Sequence, residues 1–185
     1  MDTEGFFREI SRDVWSHGGG QQLRDLLSSS LATLLFTKKD DRPAYFSSPW
    51  ISDFNLFENG FREFGALFPE LADQSEIRFS DYLLRLSKKL TVRLMTTRTE
   101  TSEAFLKNLE SPEPSRIQHR FGPDEYHEKG ILAPSFFIEG SMNITYSGVY
   151  VRGEKITYTT TWNPDGANKI ARAYLEYGRR WEILK

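Results

Sequence analysis

Hydrophobic residues recur at helical spacing in several stretches of the chain. Within residues 21–37, leucines recur every three or four positions and predict an amphipathic helix with one buried face: Leu23, Leu26, Leu27, Leu31, Leu34 and Leu35. The same spacing predicts helices over residues 80–90 and 167–183, and a shorter helix over residues 101–109 that begins at a Thr-Ser cap. Phenylalanines at helical intervals indicate that part of residues 55–71 is helical as well.

Runs rich in β-branched and aromatic residues predict strands between these helices. They lie at residues 44–54, 91–97, 117–121, 126–133, 136–139 and 149–160. Strands that alternate with helices favour an α/β sandwich, in which a mixed central β-sheet is flanked by helices. We expect a single domain over residues 1–185, in which residues 1–20 form an N-terminal segment that is flexible or contacts a partner.

Composition and charge narrow the class of protein. The chain has 185 residues, of which 38% are hydrophobic and 27% charged, a globular rather than a disordered composition. The net charge of −2 argues against a uniformly basic nucleic-acid binder but leaves room for a local basic patch. The absence of cysteine excludes disulfides and thiolate chemistry. The first residues lack the apolar core of a signal peptide and no run reaches the ~18 apolar residues of a membrane span, so we expect a cytoplasmic protein without membrane contact.

One stretch, DEYHEKGILAPSFFIEGSMNITYSG, combines polar pairs with apolar runs. His127 and Lys129 are two residues apart, and in a strand such residues share a face. Ser141 and Asn143 repeat this spacing after a glycine that permits a sharp backbone path. If the two segments are neighbours, an imidazole, an ammonium, a hydroxyl and a carboxamide converge on an apolar support, which is how a preorganised site is built.

These side chains suit a phosphate ester. Lysine, serine and asparagine supply hydrogen-bond donors to phosphate oxygens, and histidine can be a nucleophile or a general acid near neutral pH. No carboxylate accompanies His127 at metal-ligand spacing, because Glu128 alternates to the opposite face and Asp124 precedes the strand. The pattern therefore predicts phosphoryl transfer without a metal or another cofactor.

The same spacing resembles the signature of the phospholipase D superfamily, His-x-Lys followed by Gly-Ser-x-Asn. The resemblance implies a phospholipase D-like sandwich and a phosphodiesterase that works through a phosphohistidine. It implies that His127, Lys129 and Asn143 are catalytic. Glu154 stands where the family has a glutamate that orients the histidine, and it is expected to be catalytic as well.

Two further segments extend the resemblance. SPWISDF is similar to the family's first core strand with its loop, and TVRLMTT is similar to the second. On these segments we expect Ser48, Trp50 and Arg93 to bind substrate, together with Ser141 of the motif.

One position departs from the family pattern. Pro134 stands where the family usually has an aspartate that belongs more to the scaffold than to the chemistry. Its presence lowers the expectation of activity, and because proline cannot donate a ladder hydrogen bond, the strand should bulge or stop near Ala133. The short chain also resembles, through YFSSPWISDFNLFENGF, the phospholipase D-like proteins of bacterial clusters that insert 7-deazaguanine into DNA and restrict unmodified DNA.

The family's reaction needs two histidines, one that attacks phosphorus and one that protonates the leaving oxygen. This chain has His17, His119 and His127, and only His127 lies in the motif. Single-motif members of the family pair across a two-fold axis, which implies a homodimer with a shared active site. His119 is the weaker candidate for a second histidine in the same chain, because Phe121 stands where a lysine would be needed.

The resemblance implies a phosphodiester substrate, and a group of basic residues favours DNA. The group consists of Arg85, Lys88, Lys89, Arg93 and Arg98, joined by Arg116 and Arg120. A solvated helix face is the alternative interpretation of this group. The first functional hypothesis is a metal-independent DNA nuclease of a bacterial restriction defence system, with other restriction proteins as partners. The second is a catalytically weak or inactive subunit that binds DNA or protein partners, which Pro134 and the acidic net charge favour.

Structural interpretations of the same residues stay open. A lone histidine in a strand is usually structural, and Ser141 and Asn143 could be turn residues. The Gly18-Gly19-Gly20 run lacks the Gly-Lys-Ser/Thr of a phosphate loop, so we interpret it as a plain loop.

Overall fold

A computed structural model describes residues 11–15, 21–37, 40–110 and 115–185 of the chain. The α-helices are α1 Gln21–Phe36, α2 Phe79–Ser87, α3 Glu100–Lys107 and α4 Pro164–Ile183. The strands are β1 Ser11–Trp15, β2 Ala44–Ser47, β3 Asn55–Glu58, β4 Glu76–Arg78, β5 Val92–Thr97, β6 Ile117–Gly122, β7 Gly130–Leu132, β8 Phe136–Gly140 and β9 Lys155–Thr160. A 3₁₀ turn covers Pro69–Leu71, and a π-helical turn covers Ser147–Val151.

Seven strands form one mixed sheet in the order β1-β9-β8-β7-β2-β5-β6, and β3 pairs with β4 separately. β2, β5 and β6 are parallel to one another, whereas β7, β8, β9 and β1 alternate in direction. Consequently, β2, β5, β6 and β8 end at the same end of the sheet at which β7 and β9 begin. We term this the carboxyl end of the sheet.

Alternating side chains on the strands supply two cores, one on each face of the sheet. Phe46, Leu94 and Ile131 belong to the larger core, which also contains the buried leucines of α1 and the buried face of α2. Their neighbours Tyr45, Met95 and Leu132 belong to a smaller core with the inward face of α4. The predicted sandwich, a mixed sheet flanked by helices, is confirmed.

The predicted helices at residues 21–37, 80–90 and 167–183 are confirmed within a few residues, whereas of the helix indicated within residues 55–71 only a short 3₁₀ turn forms. That segment contains β3 and one 3₁₀ turn. The ring of Phe57 contacts those of Phe64 and Phe68, with centroids 4.5 and 5.8 Å apart. The aromatic spacing thus serves an irregular core cluster, because tertiary packing overrides local periodicity.

Several predicted strands are shorter than expected. β2 ends at Ser47, two residues before a proline. β7 covers only Gly130–Leu132 and stops before Pro134, as predicted for a proline at that place. The predicted strand over residues 149–160 begins only at Lys155, because Ser147–Val151 forms the π-helical turn.

The N-terminal segment contributes a strand that the sequence pattern did not predict. Residues Ser11–Trp15 pair antiparallel with β9 along their whole length, so this part of the segment belongs to the sheet. The remainder of residues 1–20, including the triple glycine, lies outside the described residues. None of the helices described combines the length and hydrophobicity that a membrane span requires.

The end of β8 depends on the absence of a side chain at Gly140. This glycine has a φ of 152°, and an added Cβ would lie 2.2 Å from the carbonyl oxygen of Lys155 on the neighbouring strand. A side chain here would therefore both strain the backbone and push β9 away from β8.

We expect Gly140→Ala to lower the free energy of unfolding by at least ~2 kcal/mol, because backbone strain and overpacking each cost about 1–3 kcal/mol. Gly153→Ala is the matched control, since nothing lies within 4 Å of its added Cβ, and it should change stability by less than ~0.5 kcal/mol. Equilibrium unfolding in urea measures both variants. A Gly140→Ala protein as stable as the parent would contradict the described path of the chain.

Candidate active site

Strand pairing brings the separate polar segments of the sequence to one place. Ser47 of β2 is opposite Gly130 of β7, and Gly140 of β8 is opposite Ile156 of β9. Lys129 immediately precedes β7, Ser141 follows β8, and Glu154 immediately precedes β9. Because neighbouring strands lie about 4.8 Å apart, these residues occupy adjacent positions at the carboxyl end of the sheet.

His127 and Lys129 lie in the loop before β7 and not in a strand, which corrects the prediction of a strand from residue 126. The contact between His127 and Lys129 is therefore not the result of a shared strand face. The Nζ of Lys129 donates a hydrogen bond to the carbonyl oxygen of His127 at 3.1 Å. His127 is exposed and Lys129 is half-buried, so the imidazole is accessible from solvent.

The segment that carries His127 is held from the side of α4 by contacts that the sequence did not predict. The hydroxyl of Tyr126 lies 2.5 Å from Ser47 Oγ, which also donates to the carbonyl of Glu128 at 3.2 Å. Glu128 forms an ion pair with Arg180 of α4. Burial raises the pKa of Tyr126, so this hydroxyl stays protonated and can act as a hydrogen-bond donor. The position of Tyr126 beside His127 is the only sequence signal for this role.

Asn143 is buried and is positioned by Ser48 at the end of β2. Ser48 Oγ accepts a hydrogen bond from the backbone N–H of Ile144 at 3.1 Å and donates to the carbonyl of Trp50 at 2.8 Å. Asn143 Oδ1 lies 3.3 Å from the same hydroxyl. Ser48 has no exposed surface. Ser48, which we predicted to bind substrate, lies beneath the exposed residues of the site and joins two loops.

The loops after β2 and β8 are connected by further backbone contacts. Ile51 and Ile144 form a parallel bridge, and the N–H of Ser52 donates to the carbonyl of Ile144 at 3.0 Å. On the other side, the Thr97 hydroxyl donates to the carbonyl of Pro49 at 2.6 Å. These contacts fix the loop and leave Trp50 46% exposed beside the site.

Ser141 and Glu154 contact each other directly. Ser141 Oγ donates to Glu154 Oε2 at 2.5 Å, and the N–H of Lys155 donates to Ser141 Oγ at 3.1 Å. Glu154 is 7% exposed. A hydrogen bond therefore joins the glutamate before β9 to the serine after β8. Their separation in the sequence does not predict this contact.

Arg93, which we predicted to bind substrate, lies apart from the other predicted site residues. It is the second residue of β5, near the end of the strand opposite to the carboxyl end. Its guanidinium donates to the Tyr45 hydroxyl at 2.8 Å and lies 4.9 Å from the ring centroid of Trp181. Arg93 therefore fastens α4 to the sheet.

The other predicted basic residues are also engaged with their own chain, so they do not form a free patch. Carboxylates pair with some of them and backbone carbonyls with the rest. The pairs are Arg85 and Lys88 with Glu70, Arg98 with Glu103, Lys89 with the Leu35 carbonyl, Arg116 with the Ser87 carbonyl and Arg120 with the Trp181 carbonyl. This arrangement agrees with the alternative interpretation of a solvated face more than with a nucleic-acid groove.

His119 lies in the middle of β6, opposite Leu94 of β5, and not at the carboxyl end. Its ring contacts Phe121 edge-on with centroids 5.4 Å apart. His17 lies outside the described residues. Across the described parts of the chain, no group of three or more histidines and acidic residues is placed to hold a metal ion.

Comparison with known proteins identifies the fold. No family model matches the chain, and no curated protein matches it in sequence. Among solved structures it is similar to NucT from Helicobacter pylori, with 9% identity, 94% of this chain and 98% of that chain covered, and a TM-score of 0.55. It is also similar to Nuc from Salmonella typhimurium, a phospholipase D family member, with 14% identity, 95% of each chain covered and a TM-score of 0.53. The expected phospholipase D-like fold is therefore confirmed.

We expect Ser48→Ala to destabilise the protein by about 1–3 kcal/mol, because the buried N–H of Ile144 would lose its hydrogen-bond acceptor. Ser87→Ala is the matched control: Ser87 is also buried but only donates to the carbonyl of Leu84 one helical turn earlier, and its loss should cost less than ~1 kcal/mol. Urea unfolding provides the comparison. Equal effects of the two variants would show that Ser48 does not join the loops.

Proposed function

We propose that this protein is a phosphodiesterase of the phospholipase D type that hydrolyses DNA without a metal, through a phosphohistidine. The observation that carries the proposal is the placement of the His127–Lys129, Ser141–Asn143 and Glu154 segments side by side at the carboxyl end of one sheet. Ligands of sheets with helices on both faces commonly bind beyond the strand ends, where loops present side chains to solvent.

The proposed reaction has two steps. The neutral imidazole of His127 attacks phosphorus, the P–N bond forms, and the P–O bond to the leaving group breaks. The leaving oxygen takes a proton from a second histidine. Water then attacks phosphorus and gives its proton to that histidine, and the P–N bond breaks to release the phosphate monoester. Dividing the displacement in this way avoids direct attack by water, which is a weak nucleophile.

The remaining residues have supporting roles in this proposal. Lys129 Nζ donates to the His127 carbonyl at 3.1 Å. In the proposed complex with substrate, the same ammonium group donates to a phosphate oxygen. Asn143 supplies a further donor, which stabilises the charge that develops on phosphorus oxygens, whereas the one hydroxyl proton of Ser141 goes to Glu154 Oε2, so Ser141 contributes by fixing that carboxylate beside the substrate. Glu154 orients the histidine, and its bond to Ser141 fixes the carboxylate for this task.

The second histidine is supplied by a second copy of the chain in this proposal. Among the described residues, His127 is the histidine at the carboxyl end, and it is exposed, so an equivalent residue can approach it across a two-fold axis. A closed dimer of this kind places the same surface of both copies at one cleft. We therefore propose a homodimer with one shared active site.

One observation and one resemblance of the sequence support an active enzyme on DNA. Pro134 lies in the turn between β7 and β8, at the opposite end of β7 from Lys129, so the missing aspartate leaves the carboxyl end intact. We further propose that the phosphodiester is DNA, because the segment YFSSPWISDFNLFENGF resembles proteins of 7-deazaguanine modification and restriction clusters. A role in restriction defence, with other restriction proteins as partners, is part of the same proposal.

One observation favours a second candidate function. The basic residues predicted to bind DNA are engaged in contacts within the chain, as with Arg98 and Glu103 at 2.8 Å. A catalytically weak or inactive subunit, which contacts DNA or protein partners through other surfaces, accommodates this distribution of charge.

We expect the purified protein to hydrolyse bis(p-nitrophenyl) phosphate in the presence of EDTA, and His127→Ala to reduce the rate at least about a thousandfold, because the nucleophile is lost. His119→Ala is the matched control and should retain the parent rate, since His119 lies within β6. Release of p-nitrophenol measures the reaction. A protein that folds and dimerises but hydrolyses no phosphodiester would support the inactive subunit.

A mixed dimer, in which the two copies carry different affinity tags, tests whether the active site is shared. A dimer with one native copy and one His127→Ala copy, purified through both tags, should have the low rate of the double variant, because both imidazoles serve one site. Half of the native rate would instead indicate two independent sites. Sedimentation velocity on the native protein gives the oligomeric state, and a monomer would contradict the proposed dimer.

A further inference from the structure

Two tyrosines beside Asn143 form a parallel stack that opens to solvent. The rings of Tyr146 and Tyr150 have centroids 5.0 Å apart and planes inclined by 11°. The π-helical turn Ser147–Val151 separates them by one wide turn and so places the two rings over each other. Tyr146 is 56% exposed, so its ring presents surface to solvent.

The inner ring of this stack is firmly held. The Tyr150 hydroxyl donates to the carbonyl of Asn55, and the edge of Phe54 packs against the ring with centroids 6.4 Å apart. The guanidinium of Arg24 lies 4.9 Å from the centre of the Tyr150 ring, at cation–π distance. The ring of Tyr146 therefore stacks on a fixed ring. Because the support is already ordered, binding of a ligand to Tyr146 costs the protein little conformational entropy.

The stack belongs to the loop that carries the candidate site. Tyr146 follows Asn143 by three residues, and its N–H donates to Ser52 Oγ at 3.4 Å. Ile51 and Ile144 join this loop to the one that bears Trp50, which is 46% exposed. The two joined loops thus each carry an exposed aromatic ring, and the loop with Tyr146 also carries Asn143, which is proposed to hold a phosphate together with Lys129.

We propose that Tyr146 is a stacking subsite for an unpaired nucleobase, and that the preferred substrate is therefore single-stranded nucleic acid. This inference rests on the proposed function for the position of the phosphate. Aromatic rings that stack parallel, with an exposed face, suit planar bases, and every base offers a π-face to such a ring. Bases within a duplex are already stacked and paired, so they cannot reach Tyr146 without being extruded.

The chemistry of the surroundings favours a nucleic acid over an apolar partner. A base on Tyr146 would extend an aromatic stack over the Arg24 cation, and its attached phosphates would meet the ammonium and amide donors of the site. Tyr146 is 56% exposed and a tyrosine ring carries a polar hydroxyl, so the exposed surface is amphipathic and not purely hydrophobic. A second copy of the chain covering Tyr146 is the competing outcome, which the experiment distinguishes.

The test measures binding of fluorescein-labelled oligonucleotides by anisotropy, with His127→Ala as the parent so that nothing is cleaved. Three ligands are compared: a mixed-sequence DNA single strand, the corresponding duplex, and an abasic strand with the same number of phosphates. The variants are Tyr146→Leu, which removes the ring, and Tyr146→Phe, which keeps it. Trp162→Leu is the matched control, because Trp162 is 88% exposed and follows β9 at the other end of the sheet.

The parent should bind the single strand more tightly than the duplex or the abasic strand. Tyr146→Leu should raise the Kd for the single strand about 5- to 150-fold, because stacking on one base is worth about 1–3 kcal/mol. It should leave the Kd for the abasic strand within about twofold, as should Tyr146→Phe and Trp162→Leu for every ligand. Equal weakening on both strands, preference for the duplex, or no binding would overturn the inference.

The outcomes also separate this inference from the proposed function. Loss of diester hydrolysis in His127→Ala together with unchanged single-strand binding in Tyr146→Leu would contradict the stacking subsite and support the phosphodiesterase. Base-dependent binding in a protein that hydrolyses no phosphodiester would support the stacking subsite and contradict the phosphodiesterase. If Tyr146→Leu converts a dimer into monomers in sedimentation velocity, the ring belongs to the contact between copies and the subsite is rejected.

Discussion

The pairing register of β2, β7, β8 and β9 is the constraint on which the candidate site depends. Ser47 opposite Gly130, and Gly140 opposite Ile156, place the ends of four strands in one row. A slip of one residue in any pair would exchange the two faces of a strand and move its flanking polar residue along the strand axis, out of the row. The two cores, with Phe46 and Ile131 on one face and Tyr45 and Leu132 on the other, prevent such a slip because it would bury the wrong side chains.

Buried hydroxyl groups extend this order from the strands into the loops. Ser48 accepts from the Ile144 N–H and donates to the Trp50 carbonyl, while Ser47 holds Tyr126 and the Glu128 carbonyl from the other face of β2. The last residue of β2 and the residue that follows it thus anchor the two halves of the motif on opposite faces of the sheet. Each bond satisfies a polar group that would otherwise be costly to bury, so the loops beside the site are fixed by the same physics as the core.

Several basic side chains stabilise contacts between elements of the chain and do not form a surface that would attract a distant ligand. Arg93 lies against Trp181, Arg180 pairs with Glu128, and Arg85 pairs with Glu70, so these cations stabilise contacts between elements. The proposed recognition of substrate consequently rests on short-range donors and on aromatic surface at the carboxyl end of the sheet. Such contacts are local and directional, whereas a broad basic surface would attract any polyanion.

The sequence by itself determined the helices of the sandwich, the place of Pro134 at the end of a strand, and the spacing of His127, Lys129, Ser141 and Asn143, because periodicity and motif spacing are properties of neighbouring residues. It joined the basic residues into a patch, indicated a helix within residues 55–71 where only a 3₁₀ turn forms, missed β1, and gave no sign that Arg93 lies near the other end of β5. Only the tertiary structure decided that Ser48 lies beneath the site, that Tyr126 holds the His127 loop, and that Tyr146 stacks on Tyr150. These contacts join residues that the fold alone brings together, as when Ser48 meets Ile144 across 96 positions of the chain, and no local pattern encodes which partner a polar or aromatic side chain will find.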